Sequence, residues 1–197
     1  MAKPKKSTKE TLKWKKKRWV PIIAPPMLRD AIIGESLVMN PEQLIGKKVL
    51  SNLMTLTGDM KKQHISIRCS IDSIKEGRAY TKFESYIISP ATIKRNVRRR
   101  RDRVDCIFNC TTKDKKDIRV KVILITRGNA VNSVLTALRK SATDMLSKHF
   151  STQDFDVIFK DVLDFRIQSE LKKQLKPIYP LISSEVRFIG LKEGRKQ

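Results

Sequence analysis

The chain has 197 residues, of which 40% are hydrophobic, and its 43 lysines and arginines against 20 acidic residues give a formal charge of +23. A chain of this length can bury roughly 70% of its unfolded surface, so we expect one folded domain with tails. So large a net charge makes the surface repel itself, and it predicts a strongly anionic partner. Nucleic acid is the first candidate, because its phosphates release counterions when they bind lysine and arginine.

Residues 1–19 form a basic arm that cannot bury itself, and we expect it to be disordered when free. Trp14 and Trp19 interrupt its lysines, and aromatic rings in a cationic arm favour stacking on bases beside phosphate contacts. For Trp19, packing at the edge of the core beside Val20 and Ile22 is the favoured interpretation. The arm residues expected to bind RNA are Lys13, Trp14, Lys15, Lys16, Lys17 and Arg18.

From Lys48 onward the chain alternates between apolar and polar residues, which is typical of strands. In Val20–Leu28, three prolines favour an extended path and exclude a central strand. Long antiparallel strands joined by hairpins must protect their edges, and a partly closed barrel does so economically. The predicted strands are Val49–Thr57, His64–Ile74, Arg78–Ile88, Val104–Thr111 and Ile118–Thr126.

A basic segment, Lys94–Arg103, separates two of these strands. Ser89 is a suitable N-cap and Pro90 suits the first helical position, so we expect a short helix to begin here. Its apolar stripe would consist of Ile93 and Val97, and the rest of its surface would be cationic.

Along a helix, cations three or four residues apart repel one another, and Asp102 would relieve only Arg98 and Arg99. A bound polyanion would reverse this cost, and the planar guanidinium group matches phosphate bidentately. The alternative is a solvated helix face that is screened by salt. The residues expected to bind RNA here are Lys94, Arg95, Arg98, Arg99, Arg100, Arg101 and Arg103.

The C-terminal third changes to a helical period. We expect a helix over residues 131–150 with Asn129 as its cap, a second helix from Ser151, a third over Phe165–Leu175, and a strand at Glu185–Leu191 that pairs back into the sheet. The predicted fold class is α+β, with an antiparallel β-barrel-like sheet, a short basic helix and C-terminal helices. A disordered basic N-terminal arm at residues 1–19 precedes a single globular domain at residues 20–197.

No catalytic constellation is evident, so we expect no enzyme, metal or cofactor. Asp154, Asp161 and Asp164 could share a helix face, and they leave open a metal-dependent nuclease or RNA-modifying enzyme. An acidic face that pairs with local lysines, such as Asp156 with Lys160, is the favoured interpretation. A free nucleic-acid chaperone is a further alternative, because charge alone does not distinguish RNA from DNA.

The cysteines and the hydropathy pattern indicate the compartment. The three cysteines are an odd number and no signal peptide precedes them, so we expect reduced thiols. No apolar run approaches the ~20 residues of a membrane-spanning helix. We therefore expect a soluble intracellular protein that contacts no membrane.

Several short motifs occur in a fixed order along nearly the whole chain, from about Lys13 to Leu191. They are Lys13–Trp19, Ala24–Met27, Ile33–Glu35, Ile178–Leu181 and Val186–Arg187. With these motifs the chain resembles the S-one-e (also called S-three-a-e) family of small-subunit ribosomal proteins of archaea and eukaryotes. The two terminal groups of motifs match that family together and in order.

This resemblance implies a β-barrel with flanking helices, no catalysis, and a structural role in the cytoplasmic ribosome. The implied position is the platform of the small subunit near the messenger exit, against the 3′ region of the small-subunit ribosomal RNA. The implied partners are that RNA, neighbouring small-subunit ribosomal proteins and messenger RNA near the exit site. Because the chain stops just after its last strand, we expect an archaeal-type member.

Overall fold

A computed structural model describes residues 17–28 and 30–192 of the chain, and within them it has the predicted α+β fold. The strands are β1 (Arg18–Ile23), β2 (Ile32–Val38), β3 (Lys48–Asn52), β4 (Ile65–Lys75), β5 (Arg78–Ile88), β6 (Arg103–Thr111), β7 (Asp117–Thr126) and β8 (Leu181–Leu191). The helices are α1 (Leu53–Thr57), α2 (Pro90–Asn96), α3 (Asn132–Thr152), α4 (Phe155–Leu163) and α5 (Arg166–Leu175).

All eight described strands belong to one sheet, which divides at β5. One edge of β5 pairs along its length with β4, which also pairs with β3. Other pairing partners of β5 are β1 near its start, through Ile22 and Ile23, and β8 near its end, through Ser85–Ile87. The order then continues from β1 to β2 and from β8 through β7 to β6. The end of β5 therefore delivers the basic segment to the neighbourhood of β8.

The main hydrophobic core lies between this sheet and the C-terminal helices. Phe159 of α4 packs against two rings of β5, with centroid distances of 4.2 Å to Phe83 and 6.3 Å to Tyr86. On α3, the ring of Phe150 stacks on Phe108 of β6 at 6.4 Å. A smaller core consists of Val20, Ile22, Val38, Leu44, Ile71 and Ala79.

Strands β4 and β5 confirm the predicted hairpin. The alternating apolar residues of β4 are buried as expected, and β5 has the predicted bounds. Strand β8 pairs back into the sheet, as predicted. The strand predicted at Val49–Thr57 is wrong in its second half, because the Asn52 side chain accepts a hydrogen bond from Met54 N (2.9 Å) and caps α1. Gly58, with a φ of 77°, ends that helix.

The extended path predicted for the proline-rich segment is confirmed at Val20–Ile23, which belong to β1. The exclusion of a central strand is wrong, because Pro21 lies in β1, between β2 and β5. Strand β1 pairs with β5 only through Ile22 and Ile23, so the missing N–H of Pro21 interrupts no hydrogen bond on that side. Trp19 does not pack at the core edge but is 65% exposed, because it alternates with the buried Val20 on the other face of the strand.

Two boundaries among the C-terminal helices differ from the prediction. Helix α3 has Val131 rather than Asn129 at its N-cap, and the Asn129 carbonyl instead accepts a hydrogen bond from the Tyr179 hydroxyl (3.0 Å). The next helix does not begin at Ser151, because α3 continues through Thr152 and Asp154 is the N-cap of α4.

We predict that Phe159→Ala lowers the free energy of unfolding by about 3–5 kcal/mol, because it empties a fully buried site between β5 and α4. Urea denaturation followed by circular dichroism measures this change. The matched control is Val157→Ala on the same helix, whose side chain is 47% exposed and whose loss should cost no more than about 0.5 kcal/mol. Equal effects of the two substitutions would contradict this description of the core.

Candidate nucleic-acid interface

Helix α2 begins at Pro90, as the sequence predicted. Its apolar stripe is confirmed, since Ile93 is buried and Val97 packs against the main core. Ser89 acts through its backbone rather than its side chain, and its N–H donates to the His64 carbonyl (2.9 Å). The helix is therefore held by its apolar face and presents Lys94 and Arg95 to solvent.

The prediction that the arginine run continues this helix is wrong. Helix α2 ends at Asn96, Val97 is extended, and Arg100 has a left-handed backbone with a φ of 63°. A helix would have aligned the guanidinium groups three and four residues apart, where like charges repel. The end of α2 at Asn96 and the left-handed Arg100 break that helical spacing, and we call residues 97–102 the arginine loop.

Asp102 fixes the end of the arginine loop to the end of β7. Its Oδ2 accepts a hydrogen bond from Ala130 N (2.7 Å), and its own N–H donates to Thr126 Oγ1 (2.8 Å). The Thr126 N–H donates in turn to the Asp102 carbonyl (3.0 Å). The predicted pairing of Asp102 with Arg98 and Arg99 is thus wrong, because its carboxylate binds backbone instead.

Three of the predicted cations lie together. Arg95, Arg98 and Arg101 line a groove of about 370 Å³ whose other wall includes Ile182 and Ser183 of β8. No carboxylate forms an ion pair with these three arginines in the part of the chain that the structure describes. We call this the arginine groove, and its positive charge has no internal compensation at contact distance.

The other cations of the segment are placed differently. Lys94 and Arg103 line a smaller groove of about 120 Å³ with Arg187. Arg103 is also paired with Asp105, since its Nη2 lies 2.7 Å from Oδ2 and its Nε donates to Oδ1 (3.0 Å). Arg99 and Arg100 are exposed on the arginine loop.

Two of the predicted cations of the arm, Lys17 and Arg18, lie far from this segment. Lys17 and Arg18 are exposed just before and at the start of β1, which is parallel to β5 and overlaps only its first residues. Helix α2 follows the other end of β5, eleven residues along. At ~3.3 Å per residue the two cationic elements are on the order of 30 Å or more apart. Lys13, Trp14, Lys15 and Lys16 lie outside the described residues.

Sequence reasoning missed a second basic groove, of about 380 Å³. Its cations come from α5, from the turn that follows α5 and from the residue after β7. Only the tertiary structure brings these positions together, although the lysine spacing on α5 is visible in the sequence. We call it the α5 groove, and its lining residues are Arg127, Ser169, Lys172, Lys173, Lys176, Pro180 and Leu181.

The pKa of His64 is affected by its burial and by the positive charge of α2. Its ring stacks on Phe165 at a centroid distance of 6.3 Å. Burial lowers the pKa of His64 below its ordinary value of 6.5, and the nearby positive charge of Arg95 lowers this pKa further. The imidazole therefore favours its neutral form at neutral pH.

The three aspartates that could have formed a nuclease site do not converge on one site. Asp161 and Asp164 both pair with Arg166, with oxygen-to-nitrogen distances of 3.7 and 3.9 Å. Asp154 is the N-cap of α4. Across residues 17–28 and 30–192, no group of three or more His, Cys, Asp and Glu side chains is placed to hold a metal ion.

The three cysteines are free thiols, as predicted. Burial raises the pKa of Cys69, Cys106 and Cys110 to about 11 in each case, so the reactive thiolate form is scarce at neutral pH. A search of the described helices found none with the length and apolarity needed to cross a membrane.

An α+β domain that carries uncompensated arginines in a surface groove is typical of proteins that bind polyanions. Comparison with known families is more specific: the model of the Ribosomal S3Ae family matches residues 5–191, and the chain belongs to this family. The resemblance found in the sequence motifs is therefore confirmed.

Two archaeal relatives illustrate the similarity. The chain is 30% identical over 186 residues to the small ribosomal subunit protein eS1 of Methanoculleus marisnigri, and the match covers 94% of each chain. It is 32% identical over 174 residues to the small ribosomal subunit protein eS1 of Saccharolobus islandicus, covering 88% of this chain and 84% of the relative.

We predict that Asp102→Ala destabilises the fold by about 1–3 kcal/mol, because the part-buried N–H of Ala130 loses its charged acceptor. Thermal denaturation of the purified protein measures the change. Asp105→Ala is the matched control, since it removes a nearby acid whose ion pair with Arg103 is solvent-exposed and should contribute at most about 1 kcal/mol. Comparable losses from both substitutions would rule out the anchoring role of Asp102.

We predict that Arg95→Ala raises the pKa of His64, because removal of a nearby positive charge favours the imidazolium form. An NMR titration of the imidazole protons measures it, with Arg99→Ala as a control that should leave it unchanged. Because the folded-state pKa of His64 is lowered, its protonation favours unfolding as the pH falls through 6.5. The Arg95→Ala variant should lose less stability in that range, and an unchanged titration would contradict the coupling.

Proposed function

We propose that the chain is a structural component of the small ribosomal subunit and that α2 and the arginine loop bind the backbone of the small-subunit ribosomal RNA. The observation that carries the proposal is the arginine groove, in which Arg95, Arg98 and Arg101 converge without an ion-pair partner among the described residues. Membership of the Ribosomal S3Ae family and the names of the archaeal relatives supply the ribosomal context.

The binding mechanism is electrostatic and depends on a fixed frame. Ile93 is buried in the core, and Asp102 is hydrogen-bonded to Thr126 at the end of β7 and to Ala130. These two residues hold the two sides of the basic segment before any RNA arrives. Guanidinium groups held in this way can take phosphate oxygens bidentately, and binding releases the counterions of the RNA. Because double-stranded RNA is recognised mostly through its backbone and shape, such a surface requires no contacts with base edges.

The N-terminal arm would make a second contact. In this proposal it folds on binding, Lys13–Arg18 neutralise phosphates along an RNA groove, and Trp14 stacks on a base or wedges between bases. Lys17 precedes β1 and Arg18 begins it, at the opposite end of β5 from α2. The sheet would thus hold two RNA contacts on the order of 30 Å apart.

The proposed position is the platform near the messenger exit, against the 3′ region of the ribosomal RNA. Neighbouring ribosomal proteins, and messenger RNA at the exit, are the other proposed partners. The support for this position is the family resemblance. The proposed compartment is the cytoplasmic ribosome, and the proposed role is structural rather than enzymatic.

We predict that alanine at all of Arg98–Arg101 weakens binding to small-subunit ribosomal RNA by at least about 100-fold at low salt and reduces incorporation into subunits. The isolated fold should be as stable as the wild type or slightly more so, because like charges are removed from a loop on which Arg98, Arg99 and Arg100 are exposed and Arg101 is half-buried. Filter binding over a range of salt concentrations, sucrose-gradient cosedimentation and thermal melts are the measurements.

The matched control removes four exposed cations elsewhere: Lys113, Arg119, Lys148 and Lys160. If both variants lose RNA affinity equally, net charge rather than the arginine loop governs binding. A large loss of stability in the arginine variant would show that these side chains support the fold. A wild-type protein that fails to cosediment with small subunits in moderate salt would instead be a free nucleic-acid chaperone.

A further inference from the structure

The α5 groove is built by three separate parts of the chain. Arg127 follows β7, and its N–H donates to the Pro180 carbonyl just before β8 (3.0 Å). On the other side, the Ser184 hydroxyl of β8 donates to the Gln168 carbonyl of α5 (2.7 Å). The groove walls are therefore joined by hydrogen bonds at backbone carbonyls, and the spacing of the cations is fixed by the fold.

Of the four cations of this groove, Lys172 is hydrogen-bonded within the protein, and the other three can bind an external anion. Lys172 donates to the Ile182 carbonyl (2.7 Å). Burial raises the pKa of Glu185, and the positive charge of Lys172 offsets part of that rise. Arg127, Lys173 and Lys176 are exposed, and none of them forms an ion pair with a carboxylate among the described residues.

Helix α5 segregates its charges. Its acid Glu170 accepts a hydrogen bond from Gln174 (3.0 Å), and both line a small cavity beside His149 of α3. The lysines line the α5 groove instead. Favourable interaction with the helix C-terminus accounts for lysines in this last turn, but it does not account for Arg127, which belongs to a different element.

The α5 groove and the arginine groove are lined by consecutive residues at the start of β8. Leu181 lines the α5 groove, whereas Ile182 and Ser183 line the arginine groove. These residues span about 7 Å along the strand. The two grooves are thus neighbours on either side of the start of β8, and both are lined by cations without an acidic side chain.

We infer that the α5 groove is a second RNA-backbone site, in which Arg127, Lys173 and Lys176 bind phosphates of the same ribosomal RNA that occupies the arginine groove. This inference rests on the proposed function and extends it to residues outside the basic segment. RNA then crosses the start of β8, with arginines on one side and mainly lysines on the other. Lysine acts here as a point charge, which suits backbone contacts that do not discriminate sequence.

The test compares three variants of the full-length protein: Arg127→Ala with Lys173→Ala and Lys176→Ala, alanine at all of Arg98–Arg101, and a control with alanine at Lys113, Arg119 and Lys148. The probe is deproteinised small-subunit ribosomal RNA from an archaeal ribosome, titrated by filter binding between about 50 and 200 mM salt. Thermal melts establish that each variant is folded, and incorporation into small subunits is measured in parallel.

We expect the groove variant to bind RNA about 10-fold to 100-fold more weakly than the wild type, with the slope of log affinity against log salt reduced by about 2. The control should lose much less. The charge-conserving pair Lys173→Arg and Lys176→Arg should retain affinity. If the triple variant is unfolded, the single substitutions Lys173→Ala and Lys176→Ala should each weaken binding by about 5-fold.

The outcomes separate this inference from the proposed function. A groove variant that behaves like the control, while the arginine-loop variant loses affinity, overturns the second site and leaves the proposed function standing. If the groove variant binds RNA normally but is not incorporated into subunits, the second RNA site is overturned and the groove contacts an acidic protein neighbour instead. If the wild type binds RNA as weakly as the arginine-loop variant does, both the second site and the proposed function are overturned.

Discussion

The hydrogen bonds between Asp102 and the end of β7 fix the shape of the basic segment on the protein surface. A loop carrying four adjacent arginines would otherwise be spread by the repulsion of its own charges. Asp102 holds the loop against this repulsion through its hydrogen bonds with the Ala130 N–H and the Thr126 hydroxyl. Its carboxylate does not neutralise an arginine. The positive charge is therefore retained for an external anion, and the position of the loop does not depend on that anion.

The division of the sheet at β5 distributes the positive charge over the molecule. One end of β5 pairs with β1, whose first residues continue the N-terminal arm, and the other end leads into α2 beside β8. The start of β8 then separates the arginine groove from the α5 groove. Basic residues that are distant in sequence thus occupy neighbouring grooves, whereas the start of β1 and α2 lie at opposite ends of β5.

The sequence predicted those elements whose cause is local. The alternation of β4, the bounds of β5 and the proline at the start of α2 need no information beyond a few neighbouring residues. Two failures depend on tertiary contacts: the partner of Asp102 and the grooves beside β8. The Asn52 cap is different, because it is a local contact with Met54 that the alternation of apolar residues over Val49–Thr57 obscured. Motif resemblance identified the family, but it gave no means of recognising Arg127 or the lysines of α5 as neighbours.

The left-handed backbone of Arg100 has a consequence for how the loop could be altered. Glycine would adopt this conformation freely, whereas a residue with a Cβ carries a strain of about 1–2 kcal/mol. Arg100→Gly would therefore relax the backbone but would also remove a cation, so an unstrained backbone and the full positive charge exclude each other at this position. With arginine there, the loop keeps its charge and is less stable, by this strain, than the same loop with glycine.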